Sequence, residues 1–405
     1  MGKFLWTVVI FFLIMIILFS HYGLYKKNGW GRTFELAKGL AKMGHKVSLL
    51  TSGDSKYPFF YSFEEEGIKI ILFNDIIPVN LLSSGYGLLS LFGRIIYCSF
   101  FKFDICHSDS HRDNGFIPCI VNRFFYHSKV VVEWWDDFEE KTKKALWKKW
   151  YHKILNKQDI KKEITTKKRA DGVIPLSLLL YNKAIKKGIN NEKMLILNGG
   201  CDIDHIKEYD WLIAKQTLGI PSNYITFGLI GMGDSEFDDM KLFYKAIIRS
   251  SKSYPIKFIN YGRPLVKTIE SLPELKNILI EGGWLDYYSD PSKMGATDIF
   301  VLAKEDNIIN NSGWPTKFGD YLACGRPILA NVYGELIPFI ENNRPAIIPI
   351  DHNQDNITKV INDICQGKYD LKSMGKQNRR VAELNSWDER AMSLNSFYKK
   401  LLLKT

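Results

Sequence analysis

Short runs of β-branched and aliphatic residues recur along this chain, and helical stretches separate nearly all of them. That alternation restricts it to a layered α/β architecture. In the first half the runs are VSLLTS (47–52), IKIILF (68–73), FDICHS (103–108), KVVVEW (129–134) and DGVIPLS (171–177). A second set begins after residue 224: ITFGLIGMG (225–233), IKFINYG (256–262), NILIEGG (277–283), DIFVLA (298–303), RPILAN (326–331) and AIIPI (346–350). Each set predicts a parallel sheet with helices on both faces. A chain of 405 residues, 46% of them hydrophobic, can bury two such cores.

Residues 4–20 carry no charge, which makes them short for a membrane span and leaves a signal peptide or an N-terminal anchor as alternatives. The next thirty residues argue for a strand. The segment 21–53 reads as a Gly-containing loop, an amphipathic helix with Phe34, Leu36, Leu40 and Met43 at helical spacing, a terminating Gly44, then VSLLTS. Such a unit needs a first strand, and only residues 15–20 can supply it. Residues 1–14 are then an apolar leader, with Met15 a natural start of the domain.

Open α/β sheets bind ligands beyond the carboxyl ends of their strands. In the first half those ends carry His21 with the loop NGWGR (28–32), then Ser108–His111, then Trp134–Asp137. Gly29 and Gly31 let backbone approach a ligand before a helix begins, and Arg32 adds a cation for an anionic one. A tight turn with a solvated arginine is the plain alternative. Asp136 and Asp137 can orient an acceptor or serve as a base, and His107 and His111 are alternative partners. A polar loop after a strand would look the same.

The net charge of +11 points to polyanionic partners: phosphorylated substrates, an anionic membrane or nucleic acid. No helix-turn-helix, zinc-finger or RNP pattern supports the last. Six cysteines without a CxxC pair read as reduced thiols of a cytoplasmic protein, and no His/Cys/carboxylate spacing calls for a metal. Residues 141–169 are strongly basic, with Leu146, Trp147, Trp150, Tyr151, Ile154 and Leu155 on one helical face. The pattern suits an anionic membrane surface as well as an ordinary helix facing the core, and the apolar segment 86–101 adds to either reading.

The passage KMLILNGGCDIDHI (193–206) and the block GWPTKFGDYLACGRPILA (313–330) resemble family 4 (group 1) glycosyltransferases. In that family an Asn-Gly-x-Asp turn joins the domains and a Pro-x-Lys-x-x-Glu block holds the donor nucleotide. The resemblance covers nearly the whole chain. It implies the GT-B fold, with two Rossmann-like domains facing across a cleft: 1–205 on the acceptor side, 206–385 binding the nucleotide-sugar, and a final helix in 386–405 crossing back. Pro315 fits the first helical position, which puts Thr316 and Lys317 in the first turn, where free N–H groups and an ammonium suit a diphosphate. Asp320, one turn on, can accept from ribose hydroxyls.

Three departures stand out. Ser312 replaces the first of the family's two acids, Trp135 stands where a histidine is common, and the loop GMGDSEFDDMK (231–241) is acidic where an Arg and a Lys are usual. Gly231 and Gly233 resemble part of a dinucleotide fingerprint, and Arg263 is a substitute cation. With Gly313, these residues complete the expected donor site. The resemblance implies a retaining, metal-independent transfer from a nucleotide-sugar, and the basic and apolar surface features favour a glycan or lipid-linked acceptor at the inner face of the cell membrane. Arg32, Arg263 and Lys317 would stabilise the leaving diphosphate. A sugar-nucleotide epimerase on the same fold and a non-catalytic glycan- or partner-binding scaffold are the rivals.

Overall fold

The computed structural model describes residues 14–27, 29–53, 59–75, 85–140, 150–231, 233–286 and 290–403, without the side chains of 150–158. Two open sheets carry the fold. The first holds strands β1 (Ile16–Leu24), β2 (Lys46–Ser52), β3 (Phe60–Glu65), β4 (Ile68–Phe73), β5 (Ile105–Ser108), β6 (Lys129–Trp134) and β7 (Gly172–Pro175). Their order is β3-β4-β2-β1-β5-β6-β7. All neighbours are parallel except β3, which pairs antiparallel with β4.

The apolar run before His21 is central to that sheet. Ile17, Leu18 and Phe19 are fully buried in β1, so residues 4–20 do not form one membrane-spanning helix. Residues 1–13 lie outside the described part. No helix among the described residues is long and apolar enough to cross a membrane. β1 runs on through His21 to Leu24 with a register shift after Ser20, which lifts His21 and Tyr22 to the rim. Helix α1 (Trp30–Lys42) comes next. Gly44, at φ 87°, ends the turn by donating to the Ala41 carbonyl.

Helices α2 (Leu88–Phe100), α3 (Asp113–Tyr126), α4 (Trp150–Arg169) and α5 (Leu178–Lys186) complete the first layer set. The second sheet is wholly parallel in the order β10-β9-β8-β11-β12-β13. Its strands are β8 (Ile225–Gly231), β9 (Ile256–Gly262), β10 (Leu279–Gly283), β11 (Ile299–Leu302), β12 (Ile328–Ala330) and β13 (Ile347–Pro349). Around it lie α6 (Trp211–Thr217), α7 (Phe237–Ser250), α8 (Val266–Ser271), α9 (Ile308–Ser312), α10 (Thr316–Ala323), α11 (Leu336–Asn343), α12 (Gln354–Cys365) and α13 (Leu371–Glu383).

A last helix, α14 (Trp387–Leu403), packs on α1 of the first sheet. Tyr398 meets the buried His107, and His45 pairs with Asn395 at 3.0 Å. The passage between the sheets needs its glycines. A Cβ on Gly199 would strike the Trp314 indole and one on Gly200 the Trp387 ring, while Gly319 of α10 lies against the Gly200 carbonyl.

Strand order reverses between β1 and β5 in one sheet and between β8 and β11 in the other. Such switch points open a crevice at the carboxyl ends, so each sheet contributes one wall-lined hollow to the cleft.

Candidate active site

A cavity of about 340 Å³ occupies the β8/β11 crevice. Its floor is Leu229, Ile230, Leu302 and Ala303; its wall is Trp314–Lys317 and Tyr321, with Lys304, Glu236 and Asp239 at the rim. Tyr321 stacks on Phe300 with ring centroids 4.2 Å apart, and its hydroxyl accepts from the Ile230 N–H at 3.1 Å. That contact ties α10 to the end of β8. Pro315 is the N-cap and not the first helical residue, because its carbonyl accepts from the Phe318 N–H at 2.9 Å. Thr316 and Lys317 therefore open the helix, with amides that a helix start leaves free.

The acidic loop is largely explained by neighbouring loops. Asp234 accepts from the Lys267 and Thr268 N–H groups and the Thr268 hydroxyl, capping α8. Asp239 accepts from the Glu305 N–H and Asn310 Nδ2, both at 3.1 Å. The glycines serve the same packing. A Cβ on Gly231 would fall on the Glu236 carboxylate, and one on Gly233 on Arg263 and the Pro264 carbonyl. Arg263 stands exposed on the loop after β9, outside the cavity wall. The second cation at the wall is Lys304, which sequence reasoning missed. Its signal was being the first charged residue after the buried run DIFVLA.

Asp320 is half-buried and outside the cavity lining, with its charge felt by the Cys201 thiol. Ser312 is fully buried. Its hydroxyl donates to the Ile309 carbonyl at 2.9 Å and accepts from the Asp137 N–H at 3.4 Å, while its carbonyl accepts from the Ser177 hydroxyl at 2.7 Å. The expected donor contact at 312 is thus corrected to a latch between the two halves. Glu335 is a second latch, accepting from the Leu178 N–H at 2.7 Å and from Asn198 Nδ2 at 3.0 Å. Burial raises the Glu335 carboxyl above its ordinary range.

The first-sheet crevice holds a cavity of about 230 Å³ lined by Tyr22, Asp109–Arg112, Glu133–Asp136, Phe138 and Lys167. Asp109 pairs with His21, accepts from the Thr33 hydroxyl at 3.0 Å and from the Tyr22 N–H at 3.1 Å. Arg32 corrects another expectation. Its Nε donates to Glu133 at 2.8 Å, and its two terminal nitrogens to the carbonyls of Asn198 and Leu197. The guanidinium binds the first sheet to the interdomain passage. Burial would raise the Glu133 carboxyl, but Arg32 and His107 outweigh it and hold it down at about 2. Gly29, at φ 83°, caps α1, and a Cβ there would lie inside the Trp135 ring. The Trp135 indole covers the loop at Gly29. Around Gly31 there is open space.

His111 is buried, and burial, then Lys167, Arg112 and Lys162, push its ring well below the ordinary histidine range. Asp136 lies where the two crevices meet. A cavity of about 140 Å³ is lined by Asp136, Lys304, Gly313–Pro315, Tyr333 and Glu335. It shares Lys304, Trp314 and Pro315 with the β8/β11 cavity and Asp136 with the first-sheet cavity. The three cavities therefore adjoin in a row, from the one lined by Lys317, through the one lined by Gly313 and Asp136, to the one lined by Lys167. A larger cavity, of about 640 Å³, flanks this row, but its Lys183 is already paired with Asp137 at 2.7 Å and Glu139 at 3.3 Å. Among the described residues one group, Glu35, Asp202 and His205, gathers three metal-ligating atoms within 4.8 Å. It lines none of these cavities.

No family model and no curated protein matches the sequence. Solved structures do match in fold. HepE from Anabaena, crystallised with UDP, superposes with a TM-score of 0.70 at 15% identity, covering 95% of this chain and 100% of that one. Sucrose-phosphate synthase from Thermosynechococcus elongatus gives 0.71 at 14% identity, covering 96% and 99%. WaaG, a glycosyltransferase involved in lipopolysaccharide biosynthesis, gives 0.65 at 15% identity, covering 94% and 99%. The fold is GT-B, two parallel-sheet domains across a cleft.

Proposed function

We propose that this chain is a glycosyltransferase of the family 4 type, which moves a sugar from a nucleotide donor to a glycan or lipid-linked acceptor. The observation that carries this reading is the row of adjoining cavities, with two lysines and a helix start at one end and Asp136 at its middle. The nucleotide sits in the 340 Å³ cavity, its diphosphate against Lys304, Lys317 and the first amides of α10. As the sugar–phosphate bond breaks, negative charge grows on the leaving diphosphate. The two ammonium groups and the amide dipoles stabilise it without a metal. Asp136 accepts the proton of the incoming acceptor hydroxyl. The transfer retains anomeric configuration, which product NMR reads directly.

HepE has been crystallised with UDP-glucose, which makes UDP-sugars the first donors to try. Calorimetry with UDP-glucose and a transfer assay test the site. Lys317→Ala is expected to weaken donor binding and lower turnover by about a hundredfold. Full activity in that variant would refute the assignment. An epimerase would consume the donor without acceptor, and a scaffold would turn over nothing.

The acceptor side suits an anionic bilayer at the inner face of the cell membrane. Leu88, Phe92, Ile96 and Phe100 stand four residues apart and exposed along α2, with Phe124 and Phe125 exposed at the end of α3. Lys102, Arg123, Lys168 and Arg169 supply basic charge for acidic headgroups. The other proposed surface, 141–149 with the side chains of 150–158, lies outside the described residues. Flotation with phosphatidylserine vesicles tests the stripe. Phe92→Glu with Phe100→Glu should abolish binding, and unchanged flotation would remove this surface from the proposal.

A further inference from the structure

One cation in the first-sheet cavity has no acceptor among the described residues. Lys167, near the end of α4, is fully buried, and its ammonium has no hydrogen-bond partner. The Trp134 ring lies 5.0 Å from it. Glu163, one turn earlier, accepts from Trp134 Nε1 at 2.8 Å and the Phe138 N–H at 2.9 Å through Oε1 alone, and the carboxylate acts on Lys167 from a distance. Burial pushes the ammonium down to about 8, so it is still charged at neutral pH. Nε2 of His111, in the same wall, is likewise buried without a partner.

Of the carboxylates around them, Asp109 and one oxygen of Glu133 are matched, the other Glu133 oxygen faces His107 at 3.3 Å, and Glu163 Oε2 has no hydrogen-bond partner among the described residues. Asp109 is held by His21, Thr33 and the Tyr22 amide, and Glu133 by Arg32 and Trp135. The Arg112 guanidinium, stacked between Tyr22 and Phe138, is in the same wall and is paired with Asp159 at 3.7 Å. A buried ammonium and a buried imidazole nitrogen, both unmatched beside open volume, are groups whose lost hydration a ligand would have to restore. A neutral sugar hydroxyl can hydrogen-bond either nitrogen; an oxyanion makes the stronger, charge-assisted bond to the ammonium.

We propose that Lys167 Nζ and His111 Nε2 form an oxyanion subsite, which takes a carboxylate or phosphate on the acceptor and presents a neighbouring hydroxyl to Asp136. That the anion belongs to an acceptor rests on the transferase reading; the anion site itself does not.

Titration of the full chain by NMR or calorimetry with methyl glucuronoside, glycerol 2-phosphate and methyl glucoside tests it. At least one anion should bind, and the uncharged glucoside should not. The stronger of the two anions distinguishes a uronic acid from a phosphorylated acceptor. Lys167→Met should weaken that anion by about ten- to a hundredfold, as expected for loss of a charged hydrogen bond. The same variant should leave UDP-glucose binding unchanged. A merely structural lysine would not combine those results.

Equal binding of the glucoside, failure of both anions, or a Lys167→Met variant with unaltered anion affinity would overturn the proposal. If Lys167→Met fails to fold, His111→Gln supplies the second variant, and unaltered anion affinity there would also count against the subsite. Anion binding without any nucleotide-sugar binding would remove the transferase reading and leave the subsite standing.

Discussion

The two ends of the cleft are assembled in different ways. The donor end is built from two stretches, Leu229 to Met240 and Leu302 to Tyr321. The acceptor end draws Tyr22, Asp109–Arg112, Glu133–Phe138 and Lys167 from four separate segments. At the donor end backbone amides do much of the work, and a helix start exposes them whatever its side chains. At the acceptor end side chains do it, and each is held by partners distant in sequence. Asp136 belongs to both, since it lines the cavity that joins them.

That division gives the largest expected effects. Lys304→Ala should behave as a donor-end change, weakening UDP-glucose and lowering kcat together. Asp136→Asn should leave donor affinity intact and lower kcat by about 10² to 10⁴, the range for a lost general base. Measuring donor Kd beside kcat separates the two. An Asp136→Asn enzyme with normal turnover would break the assignment of the proton to that residue.

The same contrast explains what the sequence disclosed. Both parallel sheets were legible, because buried strands read as apolar runs whatever their neighbours. The start of α10 was legible to within one residue from Pro315. The hairpin β3–β4 was missed, although Glu66 and Gly67 form its two-residue turn with φ 53° and 74°. A glutamate before glycine is a weaker turn signal than asparagine, and FYSFEE is too polar to resemble its parallel neighbours. Arg32 looked like a ligand-binding cation, because its acceptors Glu133, Leu197 and Asn198 lie more than a hundred residues away. Lys167 was hidden in a run of surface-like lysines. Nothing local distinguishes it from Lys168, which is exposed.

A second test addresses the first domain alone. Glu133 is held at about 2 against an ordinary 4.5, and Arg32 and His107 supply the stabilisation. A carboxyl lowered by folding stabilises the native state fully above its unfolded value. That contribution is lost as pH falls from 4.5 toward 2. Its size is on the order of 3 kcal/mol. Urea unfolding followed by pH should therefore show stability falling across that window. Glu133→Gln should be less stable at pH 7 and should flatten the slope. A variant with the wild-type acid profile would mean that another carboxyl carries it.

The smallest effect separates two glycines that look alike in the sequence. Gly29 has φ 83°, where an L side chain costs roughly 1–2 kcal/mol, and any Cβ there meets the Trp135 ring. Gly31 lies in the first turn of α1 with nothing near a Cβ, so alanine there should add up to about 1 kcal/mol from helix propensity. Gly29→Ala should thus lower Tm and Gly31→Ala raise it. Trp135 lines the acceptor cavity beside Asp136, so displacing its ring should also raise the KM for the acceptor while the donor KM holds. If both variants changed donor affinity equally, the NGWGR loop would belong to the nucleotide after all, and the indole would be a cover that the donor displaces.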